Sequence, residues 1–366
     1  MGFKCGIVGL SNVGKSALFN ALTESNKAEV ANYPFATIEP NIGRVSVPDK
    51  RLKNLSEISS SKKSIPTYMD FVDIAGLVKG ASNGEGLGNK FLANIREMDA
   101  IAHVVRCFNN TNITHVSPSI KPIEDIETIE MELRLADIET LQNKIDNLQK
   151  KSKTGDKEIK IQLSLVNLLL EQLNNSYTPD YKNWSIKEVK MINDLNLLTN
   201  KPKLYICNVD EKSIVKGNNF SKLVQEKSKR DGSNLVLVSA LIESQITQFE
   251  SEKDKLELLK ELQLKETTLN KIINSGYNLL NLITFFSSKP NETRAWTVTN
   301  NTKAPKAAGK IHSDFEKGFI KAETASYDDF VRFNGEAGCR EAGRLKQEGR
   351  DYIIQDGDVI NFLFNV

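Results

Sequence analysis

Gly9-Leu10-Ser11-Asn12-Val13-Gly14-Lys15-Ser16 has the spacing G-x-x-x-x-G-K-S, and its neighbours decide how it is read. Upstream, Lys4 to Val8 (Lys-Cys-Gly-Ile-Val) is apolar enough for a short buried strand. Downstream, Ala17 to Leu22 has the periodicity of a helix start. A glycine-bearing loop between strand and helix turns successive backbone N–H groups toward one point, at the positive end of the helix. In that context the stretch is a phosphate-binding loop rather than a chance match in a turn. Asn12, Val13, Gly14, Lys15, Ser16 and Ala17 are its candidate phosphate cradle. Lys15 is expected to reach the β- and γ-phosphates and the Ser16 hydroxyl to ligate Mg²⁺.

The chain has 366 residues, long for one core, so two or three domains are expected. Its 39% hydrophobic and 26% charged residues are ordinary for a globular protein, and a net charge of +2 imposes no overall field toward nucleic acid, although a local patch for RNA stays open. Cys5, Cys107, Cys207 and Cys339 are scattered without a C-x-x-C pair, which favours buried free thiols in a reducing compartment. Three histidines, none spaced with cysteines, argue against a zinc site. No secretory signal and no run of about 18 apolar residues is visible, so a cytoplasmic protein without a membrane partner is expected.

Beyond the first helix, Val30 to Asn41 carries two prolines and reads as a loop. Thr37 in that loop is a candidate to close over a γ-phosphate and complete a Mg²⁺ shell; the plainer reading is a loop hydroxyl. Thr67 to Asp73 is a strand run that delivers Asp73-Ile74-Ala75-Gly76. An Asp at the carboxyl end of a buried strand would hold Mg²⁺, directly or through water, and the Gly76 N–H would sense the γ-phosphate. Leu77 stands where Ras-like proteins place the Gln that orients the attacking water. Either hydrolysis is slow or another group orients the water. His115, on the polar loop after the strand run Ala100 to Phe108, is the better candidate; His103, inside the strand, reads as a core histidine.

From Ile123 the spacing of Ile126, Ile129, Leu133, Ala136, Leu141, Ile145 and Leu148 predicts a long amphipathic helix, and Ile159 to Leu173 returns the chain as an antiparallel hairpin. Ser185 and Glu188 form a capping box for a further helix. This insert is either structural bulk or a partner-binding arm. The strand Lys203 to Asn208 then delivers Asn208-Val209-Asp210-Glu211 where guanine-specific proteins have N-K-x-D. Val209 replaces the Lys and Glu211 the Asp, and a displaced carboxylate weakens recognition of guanine unless the register slips to Asp210. Ser239, ending the next strand, would back the base. Past Leu282 the texture turns to short strands: Leu282 to Phe286, Arg294 to Val298, Phe319 to Thr324, and a last one entered through Asp356-Gly357. A helical stretch near Ala304 to Glu316 lies between them. Basic residues on this module, such as Lys321, Arg340 and Arg344, are a solvated surface by default and an RNA-facing patch on the sharper reading.

With these residues in view, the chain resembles the Obg-like ATPase (YchF) family of translation-factor-class P-loop proteins over essentially its whole length. The resemblance rests on Gly9 to Ser16, Asn32 to Thr37, Asp73 to Val78, the N-x-x-E of Asn208 to Glu211, the inserted hairpin and the terminal Asp356 to Phe362. It implies an α/β fold with three parts. A P-loop NTPase G domain with a mostly parallel sheet would span 1–122 and 201–281, and an antiparallel coiled-coil insert 123–200. A TGS domain of ubiquitin-like β-grasp fold would span 282–366. It further implies Mg²⁺-dependent hydrolysis of ATP in preference to GTP, and binding to the large ribosomal subunit with a possible rRNA contact. Other implications are a monomeric chain, a part for His115 in hydrolysis beside Lys15, and adenine recognition through Asn208 and the main chain near Val209, with Phe108 close to the base. Two other readings stand beside the ATPase: a GTPase of conventional specificity, and a nucleotide-gated ribosome- or RNA-binding module with incidental hydrolysis. A metabolic P-loop kinase fits least, since neither an acceptor site nor an Arg-bearing lid is apparent.

Overall fold

The structure, a computed structural model, describes residues 3–25, 41–74, 87–110, 119–152, 156–176, 179, 181, 183–249 and 251–365. In chain order the first part comprises β1 (Phe3–Val8), α1 (Lys15–Ser25), β2 (Asn41–Ser46), α2 (Lys50–Ile58), β3 (Ser64–Ile65), β4 (Tyr68–Asp73), α3 (Leu87–Arg96) and β5 (Ala100–Arg106). Then come α4 (Pro122–Ser152), α5 (Lys157–Asn175), α6 (Ile186–Asn193), β6 (Lys203–Asn208), α7 (Asn219–Arg230), β7 (Asn234–Val238), α8 (Ala240–Gln248), α9 (Glu252–Glu261) and α10 (Thr268–Leu279). The last part holds β8 (Leu282–Ser288), β9 (Thr293–Thr299), α11 (Ala304–Ile311), α12 (Ser313–Lys317), β10 (Phe319–Ala325), α13 (Tyr327–Arg332), α14 (Glu336–Glu341), β11 (Lys346–Glu348) and β12 (Val359–Phe364).

One sheet runs in the order β2-β4-β1-β5-β6-β7. Its β1, β5, β6 and β7 are parallel, with Cys5 opposite Ala100, Ile101 opposite Lys203 and Leu204 opposite Asn234. Strands β5 and β6 are buried along their whole length, which is why they read as near-continuous apolar runs rather than alternating ones. The chain divides into two compact units: Phe3–Gly43 with Asp70–Leu269, and Arg44–Met69 with Asn270–Val366.

In the first unit, α4 and α5 form the expected hairpin. Asp156 caps α5 by accepting from the Glu158 N–H, and Leu141, Ile145 and Leu148 of α4 pack with Leu165, Val166, Leu169 and Leu173 of α5. The capping box of Ser185 and Glu188 starts α6 with both of its hydrogen bonds made. The fully buried Asp137 of α4 fastens the return toward β6, accepting from the N–H groups of Leu198 (3.0 Å) and Thr199 (2.8 Å) and from the Thr199 hydroxyl. Burial works to raise the Asp137 pKa, and three hydrogen bonds offset part of that cost. Among the described residues no helix is long and apolar enough to cross a membrane.

In the second unit a sheet runs β11-β10-β12-β8-β9-β3. Its two faces alternate along β8: Phe285 packs with Val298, Ala304, Ala308 and Phe362, while Phe286 packs with Leu52, Leu55, Ala295 and Val359. Helix α11 covers the first face and α2 the second. Arg51 of α2 is held by Asp49 and by Asp356 at 2.7 Å, and lies 5.2 Å from the Phe286 ring. The single helical stretch expected near Ala304 to Glu316 is two helices. His312 between them is extended (φ −157°, ψ 144°) and its ring nitrogen accepts from the Asp314 N–H, so it caps α12 instead of continuing α11.

Candidate nucleotide site

The loop after β1 has the backbone its glycines require. A Cβ on Gly9 would meet the Val104 carbonyl oxygen at 2.6 Å, Gly14 has φ +103°, and Asn12 also sits at positive φ. Lys15 opens α1, and the first turn of a helix has N–H groups without helical acceptors, so those of Lys15, Ser16 and Ala17 point out of its N-terminus. The Lys15 side chain is only 7% exposed and its Nζ donates to the Leu10 carbonyl at 2.7 Å. Burial lowers its pKa and the nearby Asp73 works to raise it. Ser16 and Ala17 are exposed, Val13 is buried.

Asp73 ends β4 as expected, and its Oδ2 accepts from the Ser16 hydroxyl at 3.1 Å. Its Oδ1 is buried and, among the described residues, has no hydrogen-bond partner. Burial raises the Asp73 pKa, while the Ser16 hydroxyl and Lys15 work to lower it. A buried carboxylate oxygen left open beside a serine hydroxyl is the hard-oxygen donor set that suits Mg²⁺, so these residues fit that ion.

Three strand ends gather beside the loop, all at the carboxyl edge of the parallel strands, where open α/β sheets bind ligands. Asn208, 5% exposed, donates from Nδ2 to the Val13 carbonyl at 2.9 Å and accepts at Oδ1 from the Ala240 N–H at 3.1 Å. Its amide therefore ties β6 to the phosphate loop and to the start of α8. Val209 turns its side chain into the core, 2% exposed, and its N–H donates to the Val238 carbonyl at 2.8 Å. Asp210 caps a single 3₁₀ turn, Glu211–Ser213, and both Asp210 and Glu211 are exposed. Ser239 is 1% exposed at the N-cap of α8.

Phe108 follows β5 and is partly exposed. The sequence reading overlooked two groups that shape this edge. Arg106 is 1% exposed and binds the turn after β5. Asn218, at the N-cap of α7, donates to the Cys107 carbonyl at 2.7 Å. A cation inside an apolar strand run was the visible signal for the first; the second had none. His103 is 2% exposed against the Tyr205 ring, and burial holds its pKa at about 3, so it is neutral at physiological pH. Thr37, Gly76, Leu77 and His115 lie outside the described residues.

Residues 4–144 match a family model described as 50S ribosome-binding GTPase, and residues 282–365 match YchF-GTPase_C, described as a protein of unknown function (DUF933). A Haemophilus influenzae protein named "Ribosome-binding ATPase YchF" is 53% identical over 366 residues, covering all of both chains. A Bacillus subtilis protein of the same name is 47% identical over 368 residues, again covering all of both. A solved structure of the Schizosaccharomyces pombe YchF GTPase superposes with a TM-score of 0.87 at 38% identity, covering 99% of this chain and 97% of that one. With its phosphate loop, its strand-end geometry and its full-length likeness to these proteins, the chain belongs to the YchF family.

Proposed function

We propose that this protein is a ribosome-binding ATPase that binds ATP in preference to GTP with Mg²⁺, hydrolyses it, and serves as a nucleotide-dependent switch in translation or stress response. The observation that carries the reading is the group at the phosphate loop: a buried Lys15 at a helix N-terminus beside Ser16 and an Asp73 oxygen left open. The names of the relatives support the activity and the ribosome as partner, and the 50S family description supports the large subunit.

Lys15 places a desolvated positive charge for the β- and γ-phosphates, where a preorganised charge counts for more than in water. Ser16 and Asp73, with Thr37, would hold Mg²⁺, which supplies charge neutralisation on the phosphate oxygens. His115 orients the attacking water in place of the Gln that Leu77 replaces. Gly76 reports the γ-phosphate to its loop. For the base, the buried Val209 side chain offers no cover and Glu211 displaces the carboxylate that would select guanine. The Asn208 amide engages Val13 and Ala240 with one donor and one acceptor, which leaves one of each for adenine beside the main chain near Val209, with Ser239 backing the base. Residues 123–200 are the coiled-coil arm and 282–366 a TGS domain of β-grasp fold, a reading supported by the α4–α5 hairpin and by the helix-covered sheet. The protein acts as a cytoplasmic monomer, with rRNA as a possible contact.

A conventional GTPase is the second reading, favoured by the word GTPase in the fission-yeast structure's name. Calorimetric competition between ATP and GTP in Mg²⁺ buffer, with hydrolysis measured with and without ribosomes, separates the two. ATP should bind at least about tenfold more tightly, the scale of a displaced polar partner; tighter GTP binding overturns the reading. His115→Ala should lower turnover by about 10²-fold with ATP affinity nearly intact, and unchanged turnover would remove His115 from the mechanism.

A further inference from the structure

Among the described residues Arg106 is the largest side chain buried to less than 2% exposure, and it lies at the end of a strand that is otherwise apolar apart from His103. A buried guanidinium is costly unless its donors are engaged, and an apolar residue of similar volume commonly does as well for stability alone. Three contacts of Arg106 fall on one short stretch. Its Nε donates to the Phe108 carbonyl at 3.3 Å, a terminal N–H donates to the Asn110 carbonyl at 3.0 Å, and the guanidinium carbon lies 4.7 Å from the centre of the Phe108 ring. A planar fork can hold two carbonyls and an aromatic face at once, which a lysine cannot. Burial works against the charge, and Asp125 in the first turn of α4, itself 6% exposed, works in its favour.

The stretch so fixed is placed at the nucleotide site. Arg106 is paired in register with Asn208, and the Cys107 N–H donates to the Asn208 carbonyl at 2.8 Å. The Asn208 amide in turn holds the Val13 carbonyl of the phosphate loop. Phe108 therefore stands two residues beyond the Arg106–Asn208 pair, whose next link is the phosphate loop, and its ring is partly exposed. We propose that Arg106 is a positioning residue for the nucleotide base: it sets the Phe108 ring as the platform on which the purine stacks. This rests on the nucleotide-site reading above and adds a determinant of base binding that acts without touching the base.

The test uses the full chain and four variants, Phe108→Ala, Arg106→Met, Arg106→Lys and the double variant Phe108→Ala/Arg106→Met, each first checked for a native circular-dichroism spectrum. ATP and inorganic tripolyphosphate, which lacks a base, are titrated calorimetrically in Mg²⁺ buffer. Stacking on an aromatic side chain is worth about tenfold or more in affinity. Phe108→Ala and Arg106→Met should each weaken ATP by about that factor and leave tripolyphosphate within about twofold, and the double variant should bind ATP no more weakly than Phe108→Ala alone. Arg106→Lys, which keeps the charge and loses the fork, should fall between, and it is read in the same way if Arg106→Met does not fold. If Phe108→Ala weakens ATP and the Arg106 variants do not, the proposal fails and the base site at Phe108 stands. Equal weakening of ATP and tripolyphosphate by the Arg106 variants also overturns it, as general damage to the loop. If Phe108→Ala leaves ATP unchanged, the base lies elsewhere and both readings fall.

Discussion

Asp73 and Glu130 are carboxylates of the same unit, each set near lysine and a hydroxyl, and they end in opposite states. Glu130 on α4 is 5% exposed and both of its oxygens are taken: Oε1 accepts from Lys203 at 2.9 Å and from the Tyr205 hydroxyl at 3.0 Å, Oε2 from Lys227 at 3.0 Å. The Tyr205 oxygen also lies 2.7 Å from Asp231. Burial pushes the Glu130 pKa up, but Lys203 and Lys227 outweigh it and hold it below the ordinary range. Asp73 has one hydroxyl on Oδ2 and nothing described on Oδ1, and burial wins, so its pKa is raised. The cluster around Glu130 is complete without a ligand. The one around Asp73 keeps a buried oxygen with no hydrogen-bond partner among the described residues, which is how a candidate site differs from a staple made of the same residue types.

The contrast is broken most sharply by removing one member from each. Glu130→Leu removes the carboxylate that bridges the buried Lys203 to Lys227 and should cost about 3–5 kcal/mol of stability, read as a lowered urea midpoint, while hydrolysis per folded molecule stays near wild type. Lys15→Met should do the reverse. Turnover should fall by about 10²–10³-fold, with the urea midpoint little changed, because the lost side chain is a desolvated charge with one carbonyl partner. If Glu130→Leu abolishes hydrolysis at unchanged stability, the two clusters are not separate in function.

How much of this was legible depends on whether the signal is local. The phosphate loop was readable because strand, glycines and helix follow one another, and Asp73 because a buried strand ends on it. The α4 hairpin and the capping box at Ser185 were equally local. The position of Asn208 at a strand end was readable but its ties were not: the amide joins Val13 and Ala240, 195 and 32 residues away, and no spacing rule contains those partners. The grouping of Arg44–Met69 with the C-terminal segment was hidden for a related reason. Helix α2 buries only Leu52 and Leu55, a weak pattern until Phe286 and Val359 are seen beneath them. Arg106 and Glu130 did break the local pattern, each a charge at an apolar position, and both mark an interaction that the pattern alone left unnamed.

Acid sharpens the comparison with a smaller effect. His103 faces Glu130, Lys203, Lys227 and Lys15. Its pKa falls from an ordinary 6.5 to about 3, chiefly through burial, with the lysines adding to the shift and Glu130 opposing it. The unfolded chain therefore takes up this proton near pH 6.5 and the folded one does not. Its contribution to stability is complete above that pH and is lost progressively as pH falls toward 3. Glu130 has the same sign, but its unfolded pKa of 4.5 confines its loss to lower pH. Between pH 6.5 and 4.5, His103 is thus the member of this cluster that titrates on unfolding. Urea unfolding across that window should lose about 1–3 kcal/mol at a slope near one proton, and His103→Gln should remove most of that slope. The folded protein supplies an independent check by NMR: the His103 ring protons should not shift between pH 7 and 4.5, because the imidazole stays neutral there. Titration of that ring near 6.5 would mean that the core beneath β5 admits water and charge, and that the complete cluster is more like the open one than its hydrogen bonds imply.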